Sequence, residues 1–190
     1  MFKLFIGTAL TLLNYDQAWG ENGVVGLIPH FIGFGLILLG IRDLEKESSY
    51  FDRIQLPAYV MVVYSLVYYL IKAFGLLAKI EDWNRFAVYM IDLAEAIGIL
   101  FVCYLVVLAI SNMEHKKRMD IGCKRLQKFW KVMTFGFILY YISYMTNLVS
   151  ENYATVAISL AMKGVEALGA VIFLFLFYRV WAKYMECTMQ

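Results

Sequence analysis

The run Ile91–Leu105, IDLAEAIGILFVCYL, is apolar apart from two acids, Asp92 and Glu95, and it lies inside a longer stretch that reads as one helix over Arg85–Ile110. A helix needs about 20 apolar residues to cross a bilayer, and this stretch exceeds that. Of the 190 residues 62% are hydrophobic and only 17% are charged, against about 45–50% and about 25% in ordinary soluble domains. The charges fall in clumps between long apolar runs, which is the pattern of a chain that crosses a membrane several times.

Two further segments share the marks of this run. Met162–Leu176 follows it at a separation of 71 residues (166 − 95 = 71), and Gly26–Gly40 precedes it by 65 (95 − 30 = 65). Superposed, they align H-F-I-G, E-A-I-G and E-A-L-G. A polar residue (His30, Glu95, Glu166) is thus followed three residues later by glycine (Gly33, Gly98, Gly169). The pattern predicts an all-α integral membrane protein with six transmembrane helices arranged as three helical hairpins, an internal repeat about an axis along the membrane normal. The whole of 1–190 reads as a single membrane domain, with hairpins over 1–41, 56–110 and 129–181 and a basic loop over 111–128.

In chain order, Met1–Leu13 reads as a short first helix. It could pass for a signal peptide, but no small-x-small cleavage site follows before Asp16. An acidic turn, Asn14–Asn22, leads to a second helix over Gly23–Ile41, which Pro29 is expected to kink. The charged loop Arg42–Gln55 precedes a third helix over Leu56–Leu77, with Pro57 in its first turn. After a short turn at Ala78–Asn84 comes the fourth, over Arg85–Ile110. The fifth is expected over Phe129–Val149 and the sixth over Ala154–Trp181.

Lysine and arginine set the expected orientation. Lys3, Arg42, Lys46, Arg53, Lys116, Lys117, Arg118, Lys124, Arg125, Lys128, Lys131, Arg179 and Lys183 gather on one side, thirteen of the 17 basic residues. That side is assigned to the cytoplasm, with both termini, in a cell's inner (plasma) membrane. Trp19 and Trp83 then fall at the outer boundary and Trp130 and Trp181 at the inner one. Beyond the lipid bilayer itself, the expected partners are anionic lipid or a cytoplasmic protein at Lys116, Lys117, Arg118, Lys124 and Arg125, and a like protomer in a homo-oligomer; nothing points to nucleic acid.

The polar residues form a layer in the outer half rather than a path across. Glu95 lies ten residues past Arg85 (95 − 85 = 10), about 15 Å along a helix. Glu166 falls at similar depth and His30 somewhat shallower, with Asp92 and Lys163 one turn further out. Lys72, Tyr68 and Tyr69 on the third helix, and Tyr140, Tyr141, Tyr144, Thr146 and Asn147 on the fifth, lie in the same half. Lys163 and Glu166 are spaced to pair on their own helix; Asp92 and Glu95 need a cation such as Lys163 or Lys72 from elsewhere. The three glycines are expected to bring the second, fourth and sixth helices close together below the layer.

Two readings fit this layer. It is either polar glue within a bundle, or an outward-facing site for a small cationic or zwitterionic ligand or a proton, made by His30, Asp92, Glu95, Lys163, Glu166, Lys72, Tyr68, Tyr140 and Tyr144. The first reading implies a structural or accessory subunit, the second a small transporter, permease component or sensor. Intramembrane catalysis finds little here. No E-x-x-H pair for a metal occurs, no G-x-S-x-G is present, and His30 and His115 belong to opposite sides, which excludes a bis-histidine haem within the membrane. No metal or cofactor is expected. The three cysteines, Cys103, Cys123 and Cys187, form no C-x-x-C and no disulfide framework.

The run GLIPHFIGFGLILLGIRDLEKESSYF, Gly26–Phe51, resembles a family of small, largely uncharacterised bacterial multi-pass membrane proteins with an early L-[LI]-P-x-F-I-G-[YF]-x-L-I-x-x-G-[LI] segment, then a charged loop with a late Phe. The resemblance implies a bacterial inner-membrane location and no activity. That family often has an acid where this chain has His30, so the position favours a polar group rather than one charge.

Overall fold

A computed structural model describes residues 1–13, 16–19, 23–26, 29–150 and 152–189, with the backbone alone described at 16–19, 23–26 and 189. The order is α1 (Phe2–Leu12), β1 (Asp16–Trp19), β2 (Gly23–Gly26), α2 (His30–Leu44), α3 (Asp52–Ala73), α4 (Leu76–Trp83), α5 (Arg85–Lys117), α6 (Cys123–Val149) and α7 (Tyr153–Met189). The fold is helical apart from β1 and β2, which pair antiparallel with Asp16 opposite Gly26 and Trp19 opposite Gly23. The acidic turn expected at 14–22 lies in part, and the Trp19 side chain entirely, outside the described residues.

Among the described residues four helices are long and apolar enough to cross a membrane: Asp52–Ala73, Arg85–Lys117, Cys123–Val149 and Tyr153–Thr188. The expectation of six is corrected in the first hairpin. The second helix does not run from Gly23; Gly23–Gly26 is a strand, and α2 has only 15 residues, about 22 Å of rise. Pro29 does not kink it. With φ −65° and ψ 127°, Pro29 stands just before α2, where its missing N–H and extended backbone begin a helix rather than bend one. Glycines flanking Val24 and Val25, which are β-branched, favour extended chain over helix at 23–26.

The other boundaries shift outward. α3 starts at Asp52, so Pro57 stands in its second turn rather than its first. The expected turn at Ala78–Asn84 is mostly the helix α4, entered through Gly75 in the left-handed region at φ 67°. Phe74, Leu76 and Trp83 are exposed on this short helix and its approach, and none of its residues is buried. α5 runs on to Lys117 and α6 begins at Cys123, so the expected basic loop shrinks to the corner between them.

The core sits in the half of the molecule nearest the basic residues. Phe34, Phe51, Phe173, Phe177, Ile110 and Met113 are among its largest fully buried side chains. Lys3 pairs with Asp43 at 2.8 Å, Lys117 with Glu47, and Ser48 donates to Asn112 at 2.8 Å, which ties the ends of α1, α2 and α5 together. Phe5 stacks on Trp181 at 6.1 Å and meets Phe177 edge-on at 5.8 Å, fixing α1 against α7. α5 packs on α1, α3, α4 and α6 and is the hub of the bundle.

α1 and α2 approach at backbone distance. A Cβ on Gly7 would stand 2.7 Å from the Gly33 carbonyl oxygen, and one on Gly40 would stand 2.7 Å from the Leu4 nitrogen. The expected meeting of Gly33, Gly98 and Gly169 with one another is corrected: Gly33 faces Gly7 and Thr11 on α1, Gly98 faces Met61 on α3, and Gly169 faces Met133 on α6. Each glycine admits the neighbouring helix of its own hairpin, where a small residue permits close packing.

Candidate functional site

α2 begins inside the bundle. Its first residue, His30, places Nδ1 2.9 Å from Glu95 Oε1 on α5, and both side chains are 10% exposed. An ionised carboxylate only accepts, so the imidazole donates from Nδ1. Glu95 thereby stands one side chain away from the N-terminus of α2, where the helix dipole favours negative charge. No side chain caps this terminus. On the far side of the ring, His30 Nε2 is buried with no hydrogen-bond partner among the described residues.

Tyrosines from both neighbours of α5 close on the same two turns. From α3, the Tyr64 hydroxyl donates to the Ile91 carbonyl at 2.8 Å and the Tyr68 hydroxyl donates to the Asp92 carboxylate. From α6, the Tyr141 hydroxyl donates to the Asp92 carbonyl at 3.1 Å, and Tyr89 on α5 donates in return to the Tyr141 carbonyl at 3.2 Å. Lys72 sets its ammonium 5.1 Å from the Tyr68 ring centroid, a cation–π approach, and is one turn from it along α3. Tyr140 and Tyr144 stack at 6.1 Å with ring planes 4° apart, and Tyr89 lies 5.6 Å from Tyr144.

The structure therefore brings His30, Glu95, Asp92, Tyr68 and Lys72 together, with Tyr140 and Tyr144 in the adjoining aromatic cluster. Glu166 lies within electrostatic range of the Tyr140 and Tyr141 hydroxyls. Among the described residues no ion pair joins Lys163 with Glu166, although the lysine is close enough for its charge to act on that carboxyl; Lys163 is exposed, and Glu166 Oε2 is buried without a hydrogen-bond partner among the described residues.

Sequence reasoning passed over Tyr64 and Tyr89. Tyr64 was recoverable, because it lies four residues before Tyr68 and so shares its face. Tyr89 lies three residues before Asp92, but nothing in the sequence aims its hydroxyl at Tyr141. Among the described residues no group of three His, Cys, Asp or Glu side chains could hold a metal ion. A separate hollow lined by Glu81–Phe86, with the exposed Trp83 among them, lies at the α4–α5 corner.

No protein family, no curated protein and no solved structure matches this chain.

Proposed function

We propose that the chain is a multi-pass inner-membrane protein with both termini on the cytoplasmic side, and that the layer around His30, Asp92 and Glu95 is an outward-facing site for a small organic cation or zwitterion carrying N–H donors. In this reading it serves as a small transporter, permease component or sensor. The carrying observation is His30 Nε2. With Nδ1–H committed to Glu95, the buried Nε2 presents a lone pair that a ligand's donor satisfies. Asp92 and Glu95 supply negative charge, and the tyrosine rings supply the aromatic faces that stabilise organic cations.

Two features support the reading. Non-helical backbone at membrane depth is tolerated where protein covers it or where it lines a water-filled cavity, and β1–β2 joins α1 to α2 on the outer side of His30. Binding sites in transporters often gather at the ends of interrupted helices. The internal repeat belongs to the same proposal and is supported by Gly33, Gly98 and Gly169 each facing the partner helix of its hairpin, a methionine in the last two cases. The resemblance of Gly26–Phe51 agrees with the location, and Lys116, Arg118, Lys124 and Arg125 at the α5–α6 corner fit anionic lipid headgroups. Lys117 is instead held by Glu47.

The second reading, a non-catalytic structural subunit, is favoured by one observation. Tyr64 and Tyr141 donate to helix carbonyls rather than into a cavity, as packing contacts do.

The test is a thermal-stability screen of purified protein against protonated amines, amino acids and quaternary ammonium compounds. The site reading expects a ligand-dependent rise in Tm that His30→Ala and Glu95→Gln abolish while the unliganded proteins stay folded. A flat screen, with Glu95→Gln lowering Tm in the absence of ligand, would leave the packing reading in its place.

A further inference from the structure

α3 and α5 do not join directly. Gly75, at φ 67°, turns the chain out of α3, and Asn84 starts α5 by accepting from the Phe86 and Ala87 N–H groups at 3.0 and 3.2 Å. Between these two stops stands α4, a helix of 8 residues with none buried, packed on α3 and α5. At about 100° per residue, Leu76, Lys79, Ile80 and Trp83 fall within an arc of about 100°, and Glu81 and Asp82 fall outside it. Trp83 is 88% exposed and Leu76 43%, so the apolar face of this amphipathic helix is left open by the rest of the chain.

Two observations identify what lies against that face. The first is continuity. On α3, Leu56, Val60, Val63, Val67, Leu70 and Phe74 are exposed at alternating spacings of four and three, one stripe along the whole helix. α3 is long and apolar enough to cross a membrane, which makes this stripe its lipid face, and the stripe ends at Phe74, two residues before Leu76. The second is charge. Lys79 is exposed on the same face as Leu76 and Trp83, with no ion pair among the described residues. Tryptophan is enriched at the membrane–water boundary, and a lysine beside it lays its stem on apolar surface while its ammonium reaches the phosphates. We propose that α4 is an interfacial helix, seated on the leaflet at this end of the bundle, with Leu76 and Trp83 between headgroups and acyl chains and Lys79 on a lipid phosphate. Glu81 and Asp82, which phosphates repel, then face water. This goes beyond the proposed ligand site and rests only on α3 and α5 spanning the membrane.

The experiment is depth-dependent fluorescence quenching. A chain that keeps Trp83, with Trp19, Trp130 and Trp181 replaced by phenylalanine, is reconstituted into phosphatidylcholine vesicles whose acyl chains carry bromine either just below the headgroup or near the terminal methyl. The shallow bromine should quench Trp83 at least twofold more than the deep one, and iodide should quench it less than half as strongly as after denaturation. Quenching by iodide alone would put α4 in water and overturn the proposal. Protection from both bromine and iodide would overturn it as well, because a protein surface, a second copy included, then covers the helix. A second measurement retains every tryptophan. Spin labels at Leu76→Cys or Glu81→Cys, in a chain with Cys103, Cys123 and Cys187 replaced by alanine, should divide by face: oxygen, which concentrates in lipid, relaxes the label at 76 more, and a water-soluble nickel chelate relaxes the label at 81 more. Equal access at the two positions would sink the one-sided placement. Carbonate extraction of native membranes separates the causes, because a chain released by carbonate means that the spanning assignment has failed, and a retained chain whose Trp83 reports water means that only the seating of α4 has.

Discussion

Gly33 and Gly35 stand two residues apart on α2 and carry opposite expectations. A Cβ at Gly33 would lie 2.7 Å from Thr11 Cγ2 and 2.9 Å from the Gly7 carbonyl oxygen, whereas one at Gly35 would meet nothing within 4 Å. Gly33→Ala must push α1 away from α2, so it is expected to cost about 1–3 kcal/mol, the usual range for overpacking. Gly35→Ala is expected to be neutral or to gain up to about 1 kcal/mol from helix propensity. Chemical unfolding in detergent, followed by circular dichroism, checks the pair, and equal losses at both positions would contradict the close α1–α2 contact. At this scale the sequence was informative about which residues matter and silent about what they touch. The H-F-I-G alignment singles out Gly33, but only the fold shows that its neighbour is α1 rather than another repeat helix. His30 and Glu95 were recoverable as one layer, yet aligning them as equivalent positions hid the fact that they bond to each other.

The corner between α5 and α6 shows what an element boundary depends on. Apolar periodicity ends near Ile110, and the basic run 111–128 reads as loop, because charge is the visible signal there. The helices continue through it, α5 to Lys117 and α6 from Cys123, because Glu114 holds the corner. The Ile121 and Gly122 N–H groups each donate to Glu114 Oε1 at 3.0 Å, while Arg118 at φ 54° and Gly122 at φ 82° make the left-handed steps that reverse the chain. The carboxylate also sits at the positive end of the α6 dipole. A hydrogen bond to a charged group contributes about 1.5–3 kcal/mol, so Glu114→Ala is expected to lose about 2–3 kcal/mol. Glu114→Gln, which keeps an acceptor, should lose less. Thermal unfolding measures the loss, and limited trypsin digestion at Arg118 should quicken in the alanine variant alone; no change in either would mean that the corner is held from elsewhere. No sequence pattern announces this contact, since Glu114 and Ile121 are seven residues apart across a turn that neither helix predicts.

Across the whole molecule, membrane-type architecture was legible because hydropathy and charge clumping are sums over many residues, which single errors do not disturb. The number of spans was not, because G-V-V-G and the following proline are four or five residues inside an otherwise helical hydropathy profile. That short interruption has a consequence at the largest scale. The helices α3, α5 and α7 pack with α1 and α2 in the basic-side half, where the fully buried phenylalanines lie, whereas no α7 residue between Tyr153 and Gly169 is buried. One half is packed as a core and the other is loosely closed, with the His30–Glu95 pair near the boundary. Water should therefore reach the pair from the outer side and stop below it. In intact cells carrying a cysteine-free background, Asp82→Cys and Glu95→Cys are expected to react with a membrane-impermeant maleimide, while Val106→Cys, at a position 0% exposed in the packed half, should stay unlabelled until the protein is denatured. Labelling at 82 without 95 would make the layer dry, and packing would then account for it. Labelling confined to Lys117→Cys, at the opposite end, would reverse the orientation and move the entry to the basic side.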